Sequence, residues 1–303
     1  MGAGPIGTWV AQAALEDGAV DRIAAVVDPD EGARRELVAA TGAPGYASTV
    51  DLPRASTDDV ALVAFASAAE KVAPEIIRLV SAGYNVVTTC EGLAWAPRHL
   101  WDAMHTSARS DGRTIIVTGS NPGFVMDRLP LVIAGATRKI TRIHVRRVMD
   151  TSTRRPSLVA KSGRGLTPDQ FAHGVASGRV GHKGLDSSAR LLARGLEWPY
   201  HDVTVAITPM MRDDAVVGAS HRARLAAGDG REIVLELDMA WGVEAEIDRI
   251  VIEGHPPIVN EFPGGYPVDE GTAALVVNAL RRIDTLHPGF YRPTDLPLRY
   301  GVT

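Results

Sequence analysis

The first seven residues constrain the fold of this chain more than any other stretch. Gly2, Gly4 and Gly7 spell G-x-G-x-x-G. This spacing is typical of a turn that links a buried strand to a helix and holds a dinucleotide pyrophosphate at the helix N-terminus. Only Met1 precedes the motif in the sequence. We therefore expect the strand that belongs in front of the motif to come from residues upstream of Met1, which the intact mass of the natural protein would test.

The following residues alternate between strand-like and helix-like segments. Continuous apolar runs predict buried strands at 22–28, 59–67, 85–92 and 113–120. Helical patterns lie between them, at 8–18, 29–42, 69–83 and 98–112. This order predicts an α/β fold, in which residues 1–124 form a Rossmann-type doubly wound parallel sheet that binds a dinucleotide.

After Phe124 the pattern becomes that of an α+β domain. A helix is predicted at 127–139, and strands are predicted at 140–150 and 248–254. The segment 221–241 is predicted to form two further strands around a Gly-Asp-Gly hairpin turn. We expect residues 125–267 to form a second domain built on an antiparallel sheet, which also serves dimerisation. Residues 268–303 are expected to form a C-terminal helix, predicted over 269–286, and a tail that return to the first domain.

Composition excludes several functional classes. The formal net charge of −4 and the pI of about 6.1 disfavour a nucleic-acid partner, because such proteins usually carry a basic surplus. A single cysteine, Cys90, excludes an internal disulfide framework and is typical of a cytoplasmic protein. The sequence has no apolar run of about 18 residues that would span a membrane. We also find no His/Cys/Asp spacing that is typical of a metal site.

Ligands of doubly wound sheets bind beyond the carboxyl ends of the parallel strands. The candidate cofactor-binding residues are therefore the glycine loop with Pro5 and Ile6, then Asp28, Ser67, Thr89, Cys90, Asn121 and Pro122. Asp28 lies about 20 residues beyond the glycines. This is the spacing expected of an acid that accepts hydrogen bonds from the adenosine ribose hydroxyls of NAD. Arg34 would pair with the 2′-phosphate of NADP, unless it is a solvated residue on a helix surface. We expect NAD as the cofactor, with NADP possible.

Two neighbouring residues at 90 and 91 carry rival chemistries. Glu91 follows a predicted buried strand and precedes apolar residues, where a carboxylate can exchange protons near neutral pH. Its alternative role is to start a helix and accept hydrogen bonds from backbone amides. Cys90 could act as a thiolate nucleophile towards an aldehyde, or it is simply a small buried residue.

Two later segments also have open interpretations. Asn121 and Pro122 lie where the chain leaves the predicted sheet, and they form either a plain domain-crossing turn or one wall of the pocket. His182, in GHKGL, either lines a pocket or makes structural hydrogen bonds.

Several motifs together resemble the 2,4-diaminopentanoate dehydrogenase family, which includes native amine dehydrogenases and is distantly similar to dihydrodipicolinate reductase. These motifs are GAGPIG, NVVTTCEGLAW, GSNPGFVMDRLP, DTSTRR, GLTPDQF and GHKGL, and the likeness extends to the DLP at 295–297. The resemblance implies reductive amination of a small ketone or aldehyde with ammonia, with hydride from a nicotinamide cofactor. It also implies that Glu91, in the CE motif, is the catalytic acid/base, and that Phe124, Leu129 and Ile133 line an apolar substrate pocket.

The chain departs from the family pattern at two positions, which bear on substrate details. Gly92 stands where members often have a second acid, and the late motif of the GD-x-AT type is VDEGT at 268–272. Two alternative functions remain open. One is a thiol-dependent semialdehyde dehydrogenase that uses Cys90, and the other is a dinucleotide-binding sensor without catalysis.

Overall fold

The chain divides into two compact units. The computed structural model describes residues 2–56 and 58–297. The first unit comprises Met1–Phe124 and Pro267–Thr303, and the second comprises Val125–Tyr266. Met1 and residues 298–303 lie outside the described residues, so the predicted C-terminal tail is followed only as far as Pro297.

The first unit alternates strands with helices, as the sequence predicts. Its strands are β1 (Val26–Val27), β2 (Gly45–Tyr46), β3 (Val60–Val63), β4 (Asn85–Thr88), β5 (Thr114–Val117) and β12 (Gly289–Tyr291). Its helices are α1 (Pro5–Glu16), α2 (Glu31–Thr41), α3 (Ala69–Ser81), α4 (Arg98–Ser110) and α9 (Val268–Leu280). β12, β5, β4 and β3 form, in that order, a parallel sheet, and β1 pairs in parallel with β2. The prediction of a parallel α/β unit is confirmed.

The core of this unit lies along the middle strands of the sheet. All four residues of β4 and all four of β5 are buried. Val10 of α1 and Val276 of α9 pack in one cluster with Val87 and Ile116. The last helix therefore belongs to the first unit, because its apolar side chains cover the parallel sheet.

All four strands predicted in the first unit are too long, since the runs at 85–92 and 113–120 form strands only at Asn85–Thr88 and Thr114–Val117. The run at 22–28 forms a strand only at Val26–Val27, and Ala24 is exposed. The run at 59–67 forms a strand only at Val60–Val63. Apolar composition alone does not make a strand, because the backbone groups also need a neighbour with which to form a ladder.

The second unit is α+β. Its helices are α5 (Arg128–Ala134), α6 (Pro156–Ser162), α7 (Pro168–Ala176) and α8 (Leu185–Gly195). Its strands are β6 (Arg138–Asp150), β7 (Tyr200–Arg212), β8 (Ala215–Ala227), β9 (Glu232–Ala240), β10 (Ile247–His255) and β11 (Ile258–Pro263). The long strand and the hairpin β8–β9 are confirmed, whereas the helix predicted at 127–139 ends at Ala134.

The sheet of the second unit is mixed and not purely antiparallel. Its order is β11-β10-β6-β9-β8-β7, and β6 pairs with β9 in parallel. The prediction of an antiparallel sheet is wrong for that one pairing. Helices α6 to α8 and the strands β7 and β8 separate β6 from β9 in the chain, which supplies the crossover that a parallel pair needs.

The two faces of this sheet differ in chemistry. One face is apolar, with fully buried Val145, Leu235 and Ile250, and α8 packs against it. The other face carries ion pairs between neighbouring strands, such as Arg224 with Glu232 at 2.9 Å. Among the described residues, no helix has the length and apolar character needed to cross a membrane.

Candidate active site

The glycine loop is crowded at its two ends and open in its middle. Gly2 has a φ of +92°, and a Cβ there would lie 2.9 Å from the carbonyl carbon of Ala64. A Cβ at Gly7 would collide with the carbonyl oxygen of Gly2. A Cβ at Gly4, by contrast, would meet no described atom within 4 Å. The crowding at Gly2 and Gly7 therefore requires a tight turn and a close contact between the loop and the helix. The open backbone at Gly4 leaves room for a pyrophosphate to approach.

The N-terminus of α1 supports the same interpretation. Gly4 is its N-cap residue, Pro5 is its first residue, and no described side chain caps it. Ile6 follows within the first turn and packs at the margin of the core. The first N–H groups of a helix lack intrahelical partners and carry partial positive charge, so they suit a phosphate group.

Asp28 is held at the end of β1 by two backbone amides. Its Oδ2 accepts a hydrogen bond from Ala3 N at 2.7 Å, and its Oδ1 accepts one from Asp30 N at 2.9 Å. These contacts fix the carboxylate beside the glycine loop. Arg34 also reaches this strand end, because its Nη1 donates to the carbonyl oxygen of Asp28.

Backbone hydrogen bonds bring the other strand ends together. Thr89 N donates to Val63 O at 3.2 Å, and Thr118 N donates to Thr88 O at 3.0 Å. Ser67 O accepts from Gly92 N at 3.0 Å. The structure thus places the predicted residues of the first unit after β1, β3, β4 and β5 at the carboxyl ends of these strands, where ligands of such sheets bind.

Glu91 opens a short 3-10 helix, Glu91–Leu93, directly after β4 and Cys90. Its Oε2 is buried and has no hydrogen-bond partner among the described residues. Leu93 and Ala94 are fully buried beside it in the chain. Leaving a carboxylate oxygen buried without a hydrogen-bond partner costs free energy. Such an atom therefore indicates a site where a bound ligand supplies the missing hydrogen bond.

Gly92 cannot be replaced by an acid in this backbone. A Cβ at this position would lie 2.7 Å from Ser67 O and 2.9 Å from Ala69 N. Both neighbours are backbone atoms, which cannot move aside as a side chain would. The second acid of the family pattern therefore has no room here, and Glu91 is the acid that the CE motif supplies.

Cys90 is a poor nucleophile. Its side chain is only 1% exposed, and burial raises the pKa of its thiol to about 11. The thiol therefore stays protonated near neutral pH, whereas a nucleophile has to be an accessible thiolate. The thiol-dependent alternative is not favoured.

Replacing Cys90 with alanine is expected to leave at least about half of kcat, because the thiol packs as a small apolar group and takes no part in the chemistry. Steady-state kinetics of the variant would check this. Loss of turnover with intact cofactor binding would instead restore the thiol mechanism.

The turn after β5 is tied to the start of α9. The Asn121–Pro122 peptide bond is cis, and a Cβ at Gly123 would collide with the carbonyl oxygen of Gly119. The hydroxyl of Ser120 lies 2.8 Å from Val268 O and 2.9 Å from Thr272 Oγ1. The VDEGT motif at 268–272 therefore has a structural role, since its first and last residues hold the turn.

The predicted pocket residues divide between the two units. Phe124 ends the first segment of the first unit, whereas Leu129, Ile133 and His182 belong to the second. Leu129 and Ile133 lie on α5, four residues apart, so they share one helix face. All four side chains are partly exposed.

His221 is a buried residue that the sequence analysis missed. Its Nε2 accepts a hydrogen bond from the backbone N of His182 at 2.9 Å, and its Nδ1 donates to Leu237 O at 3.0 Å. Burial lowers the pKa of His221 to about 4, so the ring is neutral at neutral pH and keeps this donor and acceptor pair. A histidine at an inward position of the alternating run H-R-A-R-L was the signal available in the sequence.

These features define the class of protein: a Rossmann-type oxidoreductase with a second α+β domain. A sequence profile of the 2,4-diaminopentanoate dehydrogenase C-terminal domain matches residues 124–303. The chain belongs to the 2,4-diaminopentanoate dehydrogenase family, which confirms the resemblance that the motifs indicate.

One curated relative resembles the chain in sequence, and solved structures share its fold. The chain is 28% identical over 270 residues to 2,4-diaminopentanoate dehydrogenase of Acetoanaerobium sticklandii, covering 80% of this chain and 75% of the relative. Its fold is similar to that of the amine dehydrogenase from Mycobacterium smegmatis, with a TM-score of 0.81, 18% identity, and coverage of 96% and 95% of the two chains. The WlbA dehydrogenase from Bordetella pertussis, solved in complex with NADH and UDP-GlcNAcA, matches with a TM-score of 0.58, 15% identity, and coverage of 93% and 86%.

Proposed function

We propose that the protein is an NAD(P)-dependent amine dehydrogenase that catalyses the reversible reductive amination of a small ketone or aldehyde with ammonia. The observation that carries this proposal is the buried, unpartnered Oε2 of Glu91, which lies at the carboxyl end of β4 in the unit that holds the glycine loop. The relatives named as diaminopentanoate and amine dehydrogenases support the same reaction class. The single cysteine of the sequence supports a cytoplasmic location.

Glu91 serves as the general acid/base in this proposal. Ammonia adds to the carbonyl carbon to give a carbinolamine, and the acid form of Glu91 protonates the hydroxyl that leaves as water. Loss of water leaves an iminium ion, and a hydride added at its carbon gives the amine. In the oxidative direction water adds to the iminium carbon and the Glu91 carboxylate takes a proton from that water, so one group serves both directions.

The cofactor would be held by the glycine loop, the N-terminus of α1 and Asp28. A bound nicotinamide dinucleotide supplies the hydride. The chain's residues would bind and orient it. The open backbone at Gly4 leaves room for the pyrophosphate, and the carboxylate of Asp28 accepts hydrogen bonds from the ribose hydroxyls. Ser67 also belongs to the proposed cofactor site, and Thr89, Cys90, Asn121 and Pro122 complete it on the nicotinamide side.

We expect kcat/KM to be higher with NADH than with NADPH. A 2′-phosphate would approach the Asp28 carboxylate, which two backbone amides fix in place, and like charges repel. Replacing Asp28 with serine should narrow or reverse the preference. Steady-state kinetics with both cofactors tests this, with Asp30→Ser as a control on the same turn. A clear NADPH preference of the unchanged protein would show that Arg34 outweighs Asp28.

The substrate pocket is proposed to include Phe124, Leu129, Ile133 and His182. Three of these side chains are apolar, which suits a small, largely apolar carbonyl compound. His221 would act on this pocket indirectly, because it holds the backbone of His182.

A panel of small ketones and aldehydes, each with ammonia and with NADH or NADPH, is the experiment that tests the function. Consumption of reduced nicotinamide that depends on both carbonyl compound and ammonia would support it. A dinucleotide sensor would instead show a cofactor-dependent rise in melting temperature with no turnover across the panel.

We also propose a homodimer formed through the second unit. The apolar runs at 234–241 and 249–254 do not support it, because Leu235, Leu237 and Ile250 are buried within the chain itself. The remaining support is the edge strand β7, which exposes Val205 and Met211, because long exposed edges favour pairing.

Light scattering at micromolar concentration is expected to give twice the chain mass of 32.2 kDa. A lysine at an edge strand opposes pairing, so Val205→Lys should shift the protein towards a monomer. Val132→Lys, on α5, is the matched control, since Val132 is similarly exposed, at 42% against 47% for Val205. A monomeric mass of the unchanged protein would contradict the dimer.

A further inference from the structure

Asp127 is a fully buried carboxylate in the second unit that the acid/base role of Glu91 does not involve. It is the N-cap residue of α5, and its Oδ1 accepts a hydrogen bond from Arg128 N at 2.6 Å. Its Oδ2 accepts a hydrogen bond from Ser188 Oγ at 2.7 Å. Ser188, the fourth residue of α8, is also 0% exposed. A short hydrogen bond between two buried side chains therefore links the start of α5 to α8.

A buried carboxylate is a costly way to join two helices. Taking the charge of Asp127 out of water costs free energy that an apolar side chain of similar volume would not cost. Apolar packing is non-directional, whereas a hydrogen bond holds its two groups at a defined distance and angle. The bond between Asp127 and Ser188 therefore fixes the position of α5 along α8, which apolar contacts alone would leave free to shift.

The helix α5 depends on such contacts for its position. It has only seven residues, and isolated helices shorter than about 12 residues are marginal in water. A second close contact with α8 lies one turn further along, because a Cβ at Gly195 would lie 2.6 and 2.8 Å from the two Cδ atoms of Leu131. Asp127 and Leu131 are four residues apart, so they hold one face of α5 against α8.

Two residues proposed to line the substrate pocket lie on the other side of α5. Leu129 and Ile133 are each two residues from Leu131 in the helix. Since successive residues of an α-helix turn by about 100°, these two side chains point about 160° away from Leu131. The position of α5 on α8 therefore sets how far Leu129 and Ile133 extend into the proposed pocket.

A third residue of the proposed pocket is attached to the same helix. His182 lies three residues before α8 begins at Leu185, and its backbone N donates to His221 Nε2 on β8. Most residues of α8 are buried, and the helix packs against β7, β8 and β9. One firmly placed helix thus supports both walls of the proposed pocket, and the bond between Asp127 and Ser188 sets the distance between them.

We propose that Asp127 is a positioning residue that, through Ser188, sets the width of the substrate pocket and hence the size of ketone or aldehyde that the enzyme prefers. Asp127 takes no part in proton or hydride transfer. This role rests on the proposed function, because it concerns the pocket of that reaction. Without the hydrogen bond α5 would shift on α8, and large carbonyl compounds, which contact both Leu129 and Ile133, would lose more binding than small ones.

Ser188→Ala tests this role because it removes the hydrogen bond and leaves the carboxylate in place. Ser187→Ala is the matched control, since Ser187 is adjacent and 6% exposed but takes no part in the link to Asp127. For 2-hexanone, Ser188→Ala should raise KM at least about tenfold, while kcat stays within about threefold and the NADH Kd within about twofold. For acetone, KM should rise less than about threefold. A merely structural loss would lower kcat/KM for both ketones alike.

Hydrogen exchange tests the same link without turnover. In the Ser188→Ala variant, exchange in a peptide that covers 128–135 should be at least about fivefold faster than in the unchanged protein, while exchange in β9 stays the same. Equal exchange at α5 in the Ser188→Ala and Ser187→Ala variants would overturn the proposal.

The kinetic outcomes separate this role from the proposed function. If reductive amination occurs but Ser188→Ala and Ser187→Ala keep the same preference between 2-hexanone and acetone, the role of Asp127 is wrong and the proposed function stands. If the unchanged protein turns over no carbonyl compound with ammonia, the proposed function is wrong, and the role of Asp127 in substrate choice falls with it.

Discussion

Replacing Glu91 with glutamine is expected to lower kcat by about 10²- to 10⁴-fold and to leave the cofactor Kd nearly unchanged. Glutamine keeps the shape of the side chain but cannot exchange a proton near neutral pH. Gly92 leaves no room for a second acid at the adjacent position, so this neighbour cannot substitute for Glu91. Steady-state kinetics and a fluorescence titration with NADH separate the two effects.

Glu70→Gln is the matched control for this experiment. Glu70 lies in the first turn of α3, close enough to raise the pKa of Cys90, but its own side chain is exposed. Its replacement should leave kcat within about twofold, because the Glu70 side chain is exposed to solvent, whereas the Oε2 of Glu91 is buried. A Glu91→Gln variant that retains more than half of the wild-type kcat would refute the assignment of Glu91.

Replacing Asp248 with asparagine is expected to lower the free energy of unfolding by about 3 to 5 kcal/mol. Asp248 Oδ1 lies 3.0 Å from Arg147 Nε, and the two side chains are only 1% and 3% exposed. Both residues also hold the backbone of Tyr266: its N donates to Asp248 Oδ2 at 2.7 Å, and its O accepts from Arg147 Nη2 at 3.0 Å. The substitution leaves a buried guanidinium without its counterion, which is the costly outcome.

An exposed ion pair on the adjacent strands provides the comparison. Arg249 Nε lies 3.1 Å from Glu261 Oε1, but these side chains are 51% and 42% exposed. Glu261→Gln should change the free energy of unfolding by less than about 1 kcal/mol, because water screens this pair. Urea unfolding measures both variants. Similar losses for Asp248→Asn and Glu261→Gln would show that burial does not set the strength of the pair.

Local sequence signals predicted the parts of the fold whose causes are themselves local. Helix α2 is one case: Asp30 accepts from Ala33 N at 2.8 Å as its N-cap, and Gly42 ends the helix with a φ of 69°. A short polar side chain and a glycine suffice for these two ends, wherever the helix packs. The glycine loop and Glu91 were identifiable for a similar reason. The sterics of the glycine turn and the position of Glu91 after a strand are both encoded within a few neighbouring residues.

Other features depend on partners that are distant in the chain. Arg147 stands among charged residues in the sequence, yet it points inward because Asp248, on a neighbouring strand, neutralises it. The parallel pairing of β6 with β9 and the hydrogen bond from His182 to His221 likewise join residues that no local pattern connects.

The amino-acid sequence by itself determined the alternation of strands and helices, the glycine turn and the position of the acid at 91, because these follow from side-chain periodicity and from the sterics of adjacent residues. Only the tertiary structure decided which carboxylates are buried and paired, that the thiol of Cys90 is inaccessible, and that position 92 admits no side chain. Burial and close approach are properties of segments brought together by folding. The collision of a Cβ at Gly92 with Ser67 O exists only because β3 and β4 end side by side.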